Sequence, residues 1–259
     1  MNNTGKLTGR IALVTGAGRR AGIGAAVCKE LASQGADIFF THWDNYDQQM
    51  PWGSNAAESE TLQEEIRSVG VRCEHLKLDL SLPENTVELM NCVNQRLGEP
   101  SILVNNACYS VNDDLTTITS ESLDAHYAIN VRAVVLLSVE FTKRYRQQTG
   151  GRIINMTSGQ SLGPMAGEIS YAATKGAVDS FTRTFAAEAG PKGITVNAVN
   201  PGPTDTGWMT AELRNQLSTH FIAGRVGLPK DAARLVAFLA SDESEWITGQ
   251  VLHSTGGFN

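Results

Sequence analysis

The chain has 259 residues, 41% of them hydrophobic and 19% charged, which is enough material to bury a sizeable core. A formal net charge of −6 argues against nucleic acid or an anionic membrane as the main partner, because both need extended basic patches. No apolar run reaches the roughly 18 residues of a membrane span. The polar start MNNTGKLTGR lacks the apolar segment of a secretion signal, so a cytoplasmic location is the expectation.

In chain order, RIALVTG is the first short apolar run, and the segment that follows it, VTGAGRRAGIG, is rich in glycine. A dinucleotide fingerprint has the form G-x-G-x-x-G or G-x-G-x-x-A between a strand and a helix. Gly16-Ala17-Gly18-Arg19-Arg20-Ala21 fits the second form. A helix starting at Gly18 would hold Gly22 and Gly24 in its interior, at about 1 kcal/mol each relative to Ala. A helix starting near Gly22 instead puts both in its first turn, where a phosphate can approach the backbone. The working glycines are therefore Gly16, Gly22 and Gly24, with Arg19 and Arg20 in a long loop between them.

Further runs follow: ADIFFTH, CEHLKLD, SILVNNA, RIINMTS, ITVNAVNPG and GQVLHS, rich in β-branched residues and bounded by turn residues. Helical patterns lie between them. Ile23, Val27 and Leu31 are stopped by Gly35; Leu62, Ile66 and Val69 by Gly70; Val87, Met90 and Val93 by Gly98; DAARLVAFLAS is a late helix. This alternation predicts an α/β fold, a doubly wound parallel sheet of about seven strands with helices on both faces, in one domain spanning 1–259. Ligands of such sheets bind beyond the carboxyl ends of the strands, which directs attention to Thr15, His42, Asp79, Asn105, Ser158 and Pro201.

Ser158 follows the fifth run, and SYAATKG follows thirteen residues later. Tyr171 and Lys175 are four apart, which on a helix puts them on one face. A phenol titrates near 10, and bringing it to neutrality takes about 4 kcal/mol. An ammonium about 4 Å away at an effective dielectric of 20 supplies that amount, whereas burial pushes the phenol the wrong way. A core Tyr beside a surface Lys would show the same spacing. The nucleotide loop and Ser158 favour the chemical reading.

Thr15-Gly16, the NNA at Asn105 to Ala107, YAINVRA with Asn130, Ser158, Tyr171, Lys175, the NPG at Asn200 to Gly202, and Thr206 together resemble the short-chain dehydrogenases/reductases from about Lys6 to the end. The tail GRVGLPKDAARLVAFLAS…ITGQVLHSTGG is similar to that family as well. The resemblance implies hydride transfer at a nicotinamide, interconverting a carbonyl and a secondary alcohol. It implies that Tyr171 moves the proton, Ser158 orients the substrate oxygen, Lys175 holds the nicotinamide ribose and lowers the Tyr pKa, and Asn130 anchors a water chain. It implies coenzyme contacts at Gly16, Gly22, Ile23 and Gly24, at Asp79 and Leu80 near the adenine, at Asn106 and Ala107 under the adenosine ribose, and at Pro201, Gly202, Thr204 and Thr206, the last on the carboxamide. It also implies a homotetramer and extends to reductases of 3-oxoacyl groups on an acyl carrier protein, although no clear basic helix for docking such a carrier is evident. A non-catalytic nucleotide-sensing protein on the same fold is the alternative. The intact Ser158, Tyr171 and Lys175 argue against it.

Two features depart from the family pattern. Five residues, where the family has three, separate Gly16 from Gly22, and Cys108 replaces the glycine of NNAG. Cys108 must therefore adopt ordinary backbone angles. An acid at the end of the second strand usually meets a free ribose 2′-hydroxyl. Here that place holds His42, with Asp44 two residues on. Arg19 and Arg20, helped by His42, suit a 2′-phosphate, so NADP(H) is expected over NAD(H). Between Trp43 and Thr61 the chain is longer than the family needs. WDNYDQQMPWGSNAAESE, with two Trp, a Tyr and a Pro, is expected to form a flap over the adenosine side or to pack on a neighbouring subunit. Cys28, Cys73, Cys92 and Cys108 show no metal-like spacing with His, and no metal site is expected. His75, His126, His220 and His253 read as structural. Trp208, Met209, Leu213 and Phe221 form either an apolar substrate pocket or the packing of a lid.

Overall fold

The computed structural model describes residues 5–50, 53–55 and 57–258. Seven strands form one parallel sheet in the order β3-β2-β1-β4-β5-β6-β7. They are β1 Ile11–Val14, β2 Asp37–His42, β3 Cys73–Lys77, β4 Ile102–Asn105, β5 Gly151–Met156, β6 Ile194–Asn200 and β7 Val251–His253. Each falls on one of the seven apolar runs. The helices are α1 Ile23–Ser33, α2 Asp44–Gln49, α3 Ala57–Arg67, α4 Asn85–Arg96, α5 Ser120–Tyr127, α6 Val134–Arg144, α7 Ile169–Ala189, α8 Ala211–Ser218 and α9 Pro229–Ala240.

Successive residues of a strand point to opposite faces, and both faces are covered. Ala12, Val14, Ile38, Phe40, Ile102 and Val104 pack with Val27 and Leu31 of α1, Leu62 and Ile66 of α3, and Val236 and Leu239 of α9. Leu13, Phe39, Leu103 and Ile153 pack on the other side with Leu89 and Val93 of α4 and Leu137 and Phe141 of α6. Two expected stripe residues lie outside this core. Val69 is 56% exposed because α3 ends at Arg67, and Val87 is 44% exposed. The buried face of α4 is centred on Thr86, Leu89, Met90 and Val93, which puts Val87 at its edge. Among the described residues no helix is long and apolar enough to cross a membrane.

Candidate active site

The chain order reverses between β1 and β4, which are neighbours in the sheet, so a crevice opens above their carboxyl ends. The loop after β1 and the loop after β4 are laced together there. The Thr15 hydroxyl accepts from the backbone N–H groups of Asn106 and Ala107, each at 3.0 Å. The Asn106 amide donates to the carbonyls of Thr15 (3.0 Å) and Gly16 (2.9 Å). Three glycines permit this approach. Gly16 has φ +71°, and a Cβ on it would lie 2.5 Å from Ala107 Cα. On Gly24 it would lie 2.6 Å from Asn106 Nδ2, and on Gly18 2.9 Å from His42 Cβ. The sequence reading passed over Gly18, although one form of the fingerprint contains it.

α1 begins at Ile23 behind Gly22, which supplies no side-chain cap. Its first-turn N–H groups therefore remain open to an anion. The crevice holds about 430 Å³. Of the expected coenzyme contacts, Gly16, Arg19, Gly22, Ile23, Gly24, His42, Asp79, Leu80, Asn106, Ala107 and Thr206 line it. Thr41, Tyr46, Tyr109 and Ile129 line it too and were not foreseen. Tyr46 carried a signal as the tyrosine of the extra segment. Thr41 and Ile129 carried none beyond their place beside named residues.

Arg20, Tyr171, Lys175, Pro201, Gly202 and Thr204 are not among the residues lining the crevice. The Arg20 guanidinium pairs with Glu65, its backbone N–H donates to Glu58 (2.6 Å), and it lines an adjacent cavity of about 320 Å³. Gly202 and Thr204 organise the loop after β6: the Gly202 N–H donates to Asn200 Oδ1 (2.9 Å) and the Thr204 hydroxyl to the Gly202 carbonyl (3.1 Å). Arg19 crosses the crevice to the Thr206 carbonyl at 2.6 Å. His42 faces Asp44 (Nδ1 to Oδ1, 3.1 Å) and His75 (3.2 Å). Asp44 also pairs with Lys77 at 2.6 Å. Burial raises the Asp44 carboxyl, but hydrogen bonds from Lys77 and His42 outweigh it and hold the group below its ordinary value.

Ser158 follows β5, and α7 starts where the Ser170 N–H donates to the buried Asp113 carboxylate (3.0 Å). Tyr171 and Lys175 share a face of α7, with the Lys175 ammonium 5.5 Å from the centroid of the Tyr171 ring. Lys175 is buried, and the hydrogen bond described for its ammonium is to the Met156 carbonyl at 2.9 Å. An ammonium has three donors, so a diol above it would meet the others. Asn130 sits in a π-helical turn, Ala128–Ala133, that joins α5 to α6. Its amide is used twice on Tyr109, accepting from the backbone N–H and donating to the carbonyl (2.9 Å each), and it donates to Thr174 Oγ1 at 3.1 Å.

The acidity of Tyr171 differs from the expectation. Burial pushes the phenol well above 10, the Cys108 thiol and the Glu168 carboxyl push the same way, and a hydrogen bond with Ser158 opposes them. The Lys175 ammonium, 5.5 Å from the ring centroid, does not offset this, and desolvation dominates the phenol in the protein alone. Cys108 has no positive φ, as its place in NNAC requires. The segment after β6 packs mainly on itself: Met209 and Phe221 are buried together with Val226, against Leu213, Leu217 and Phe258, while Trp208 is 47% exposed. In the extra segment, Trp43, Asn45, Tyr46 and Asp47 line the crevice; Pro51, Trp52 and Ala56 lie outside the described residues.

A family model described as enoyl-(acyl carrier protein) reductase matches residues 16–259. The uncharacterized oxidoreductase YjdA of Bacillus subtilis is 54% identical over 251 residues, covering 96% of each chain. The 3-oxoacyl-(acyl-carrier-protein) reductase FabG of Pseudomonas aeruginosa is 35% identical over 257 residues, covering 97% of this chain and 98% of its own. Among solved structures, a short-chain dehydrogenase from Burkholderia cenocepacia in complex with NADP superimposes with a TM-score of 0.87 at 34% identity, covering 97% of this chain and 98% of that one. The chain belongs to the short-chain dehydrogenase/reductase family and is an oxidoreductase.

Proposed function

We propose that the protein is an NADP(H)-dependent enzyme that interconverts a carbonyl and a secondary alcohol. The observation that carries this reading is the meeting, at one end of the sheet, of a glycine-built crevice and the group Ser158, Tyr171 and Lys175. The crevice fits a dinucleotide. Glycines let the loops after β1, β2 and β4 close around it, the first turn of α1 is uncapped, and Lys175 is a buried ammonium with one described hydrogen bond. When bound, the reduced nicotinamide supplies hydride to the carbonyl carbon. Tyr171, kept protonated by burial, donates its proton to the oxygen that becomes the alcohol. The Ser158 hydroxyl, next to the phenol, hydrogen-bonds the same oxygen and orients it. Lys175 holds the ribose diol, and Asn130 fixes the Tyr109 backbone and Thr174 one residue before Lys175.

The preference for a 2′-phosphate rests on two features. Arg19 lies in the crevice, and Asp44, the acid nearest to the end of β2, is not among the residues lining it and has its carboxylate turned to Lys77 and His42. The Burkholderia relative holds NADP. A panel of ketones and secondary alcohols, with 3-oxoacyl thioesters included because of the resemblance to FabG, tests the reaction by NADPH absorbance. Turnover is expected with NADPH well above NADH; equal turnover with both would overturn the coenzyme assignment. Arg19→Ala should raise KM for NADPH about 10- to 100-fold, as the loss of a charge-assisted hydrogen bond does, and leave KM for NADH nearly unchanged. Assembly as a homotetramer belongs to the same reading by family resemblance, and light scattering tests it.

A further inference from the structure

Between β2 and α3 the chain forms α2, a short helix whose first turn lines the crevice through Asn45, Tyr46 and Asp47. Its base is fastened by the Asp44 carboxylate on Lys77 (2.6 Å) and His42, and the Lys77 ammonium stands 5.8 Å from the centroid of the Trp43 ring. Its other contact is distant in sequence. The Tyr46 hydroxyl donates to the Ser110 carbonyl at 3.0 Å, and the Tyr46 and Tyr109 rings lie 5.5 Å apart between centroids.

The sheet order makes this contact a crossing. β2 and β4 flank β1, so a bond from the helix after β2 to the loop after β4 passes over the glycine loop after β1. That loop is where a dinucleotide lies in such sheets. The receiving side is rigid. Both backbone groups of Tyr109 are held by Asn130, its ring meets the fully buried His126 edge-on at 4.9 Å, and the Val111 N–H donates to His126 Nε2 at 3.3 Å. Burial, with smaller electrostatic contributions, pushes the Tyr46 phenol up to about 12, so it remains a donor throughout the neutral range.

We propose that Tyr46 is a positioning residue for the coenzyme: its bond to the Ser110 carbonyl latches the crevice shut over the dinucleotide, and release requires the latch to open. This rests on the nicotinamide reading above. The latch joins the coenzyme's cover to the loop bearing Cys108 and Tyr109, beside Tyr171, so the same contact also steadies the substrate side.

The test compares the wild type with Tyr46→Phe and Tyr46→Ala. NADPH release is measured by stopped-flow displacement, and amide hydrogen exchange of residues 44–49 is measured in the protein without added coenzyme. Tyr46→Phe keeps the ring and loses only the hydroxyl bond, so release should quicken about five- to tenfold, KM for NADPH should rise in step, and exchange in α2 should accelerate. Tyr46→Ala also loses the contact with Tyr109 and should exceed both effects. Release rates within twofold of wild type in both folded variants would overturn the latch while leaving the nicotinamide reading in place. A wild type that binds neither NADPH nor NADH would overturn both.

Discussion

Tyr171 is the residue on which the chemistry turns, and four influences set its pKa: burial, a thiol and a carboxyl raise it, and the Ser158 hydroxyl lowers it. Tyr171→Phe keeps the ring and removes the proton. Turnover should fall by about 10²–10⁴ or more, with NADPH binding within a fewfold of wild type by fluorescence titration. Alcohol oxidation needs the phenolate, so its rate rises with pH through the phenol's titration. Cys108 raises that titration; Cys108→Ala should therefore move the rising limb of kcat/KM for oxidation to lower pH. Glu168→Gln should move it the same way, because the negative charge of an ionised Glu168 opposes the phenolate. A limb that stays in place in both variants would mean that neither group acts on the phenol.

The loops at the carboxyl ends of β1, β2 and β4 act as a unit because glycines let their backbones touch. Gly24→Ala would put a methyl group 2.6 Å from the Asn106 amide that ties the loops together. The cost should be about 1–3 kcal/mol, roughly 2–12 °C in Tm, with weaker NADPH binding. Asp44 anchors α2. Its carboxyl is held below its ordinary value in the fold, so its contribution is fully present above the unfolded value of about 3.9 and is lost as pH falls through the lower folded value. Asp44→Asn should therefore lower Tm at pH 7, with the difference closing in acid, which thermal melts across pH would show. The helices show what periodicity conveys and what it omits. Val27, Leu31, Leu62, Ile66, Met90 and Val93 are buried as their spacing requires, whereas Leu89, equally buried, was not singled out and Val87 is at the edge. A three- or four-residue repeat identifies a stripe but not its centre, which the neighbouring layer sets.

At the scale of the whole molecule, the crevice is a product of strand order, so coenzyme binding and folding are linked. NADPH at a hundred times its Kd should stabilise the protein by about 2.7 kcal/mol, about 5–10 °C, and NADH at the same concentration by much less; a thermal shift series measures both. Away from the site, the amino ends of β1 and β5 are closed by two arginines. Arg152, buried, donates to the Ser241 carbonyl (3.2 Å) and pairs with Asp242 (3.2 Å), and Arg10 donates to the Ala240 carbonyl (2.9 Å). These bonds hold the end of α9 against the sheet at the pole opposite to the crevice.

Local sequence by itself determined the seven strands, the α1 start behind Gly22 and the common face of Tyr171 and Lys175, because each depends on residues within a turn or two of one another. The family resemblance supplied the remaining site positions, and the structure brings most of the coenzyme set to one crevice. Only the tertiary structure decided which cations face that crevice, since Arg19 reaches Thr206 while Arg20 pairs with Glu65 on a helix 45 residues away in sequence. It also decided that burial outweighs Lys175 at the phenol and that Tyr46 spans to Ser110. Desolvation and cross-loop hydrogen bonds are sums over groups that meet only when the sheet is assembled, and no spacing along the chain encodes them.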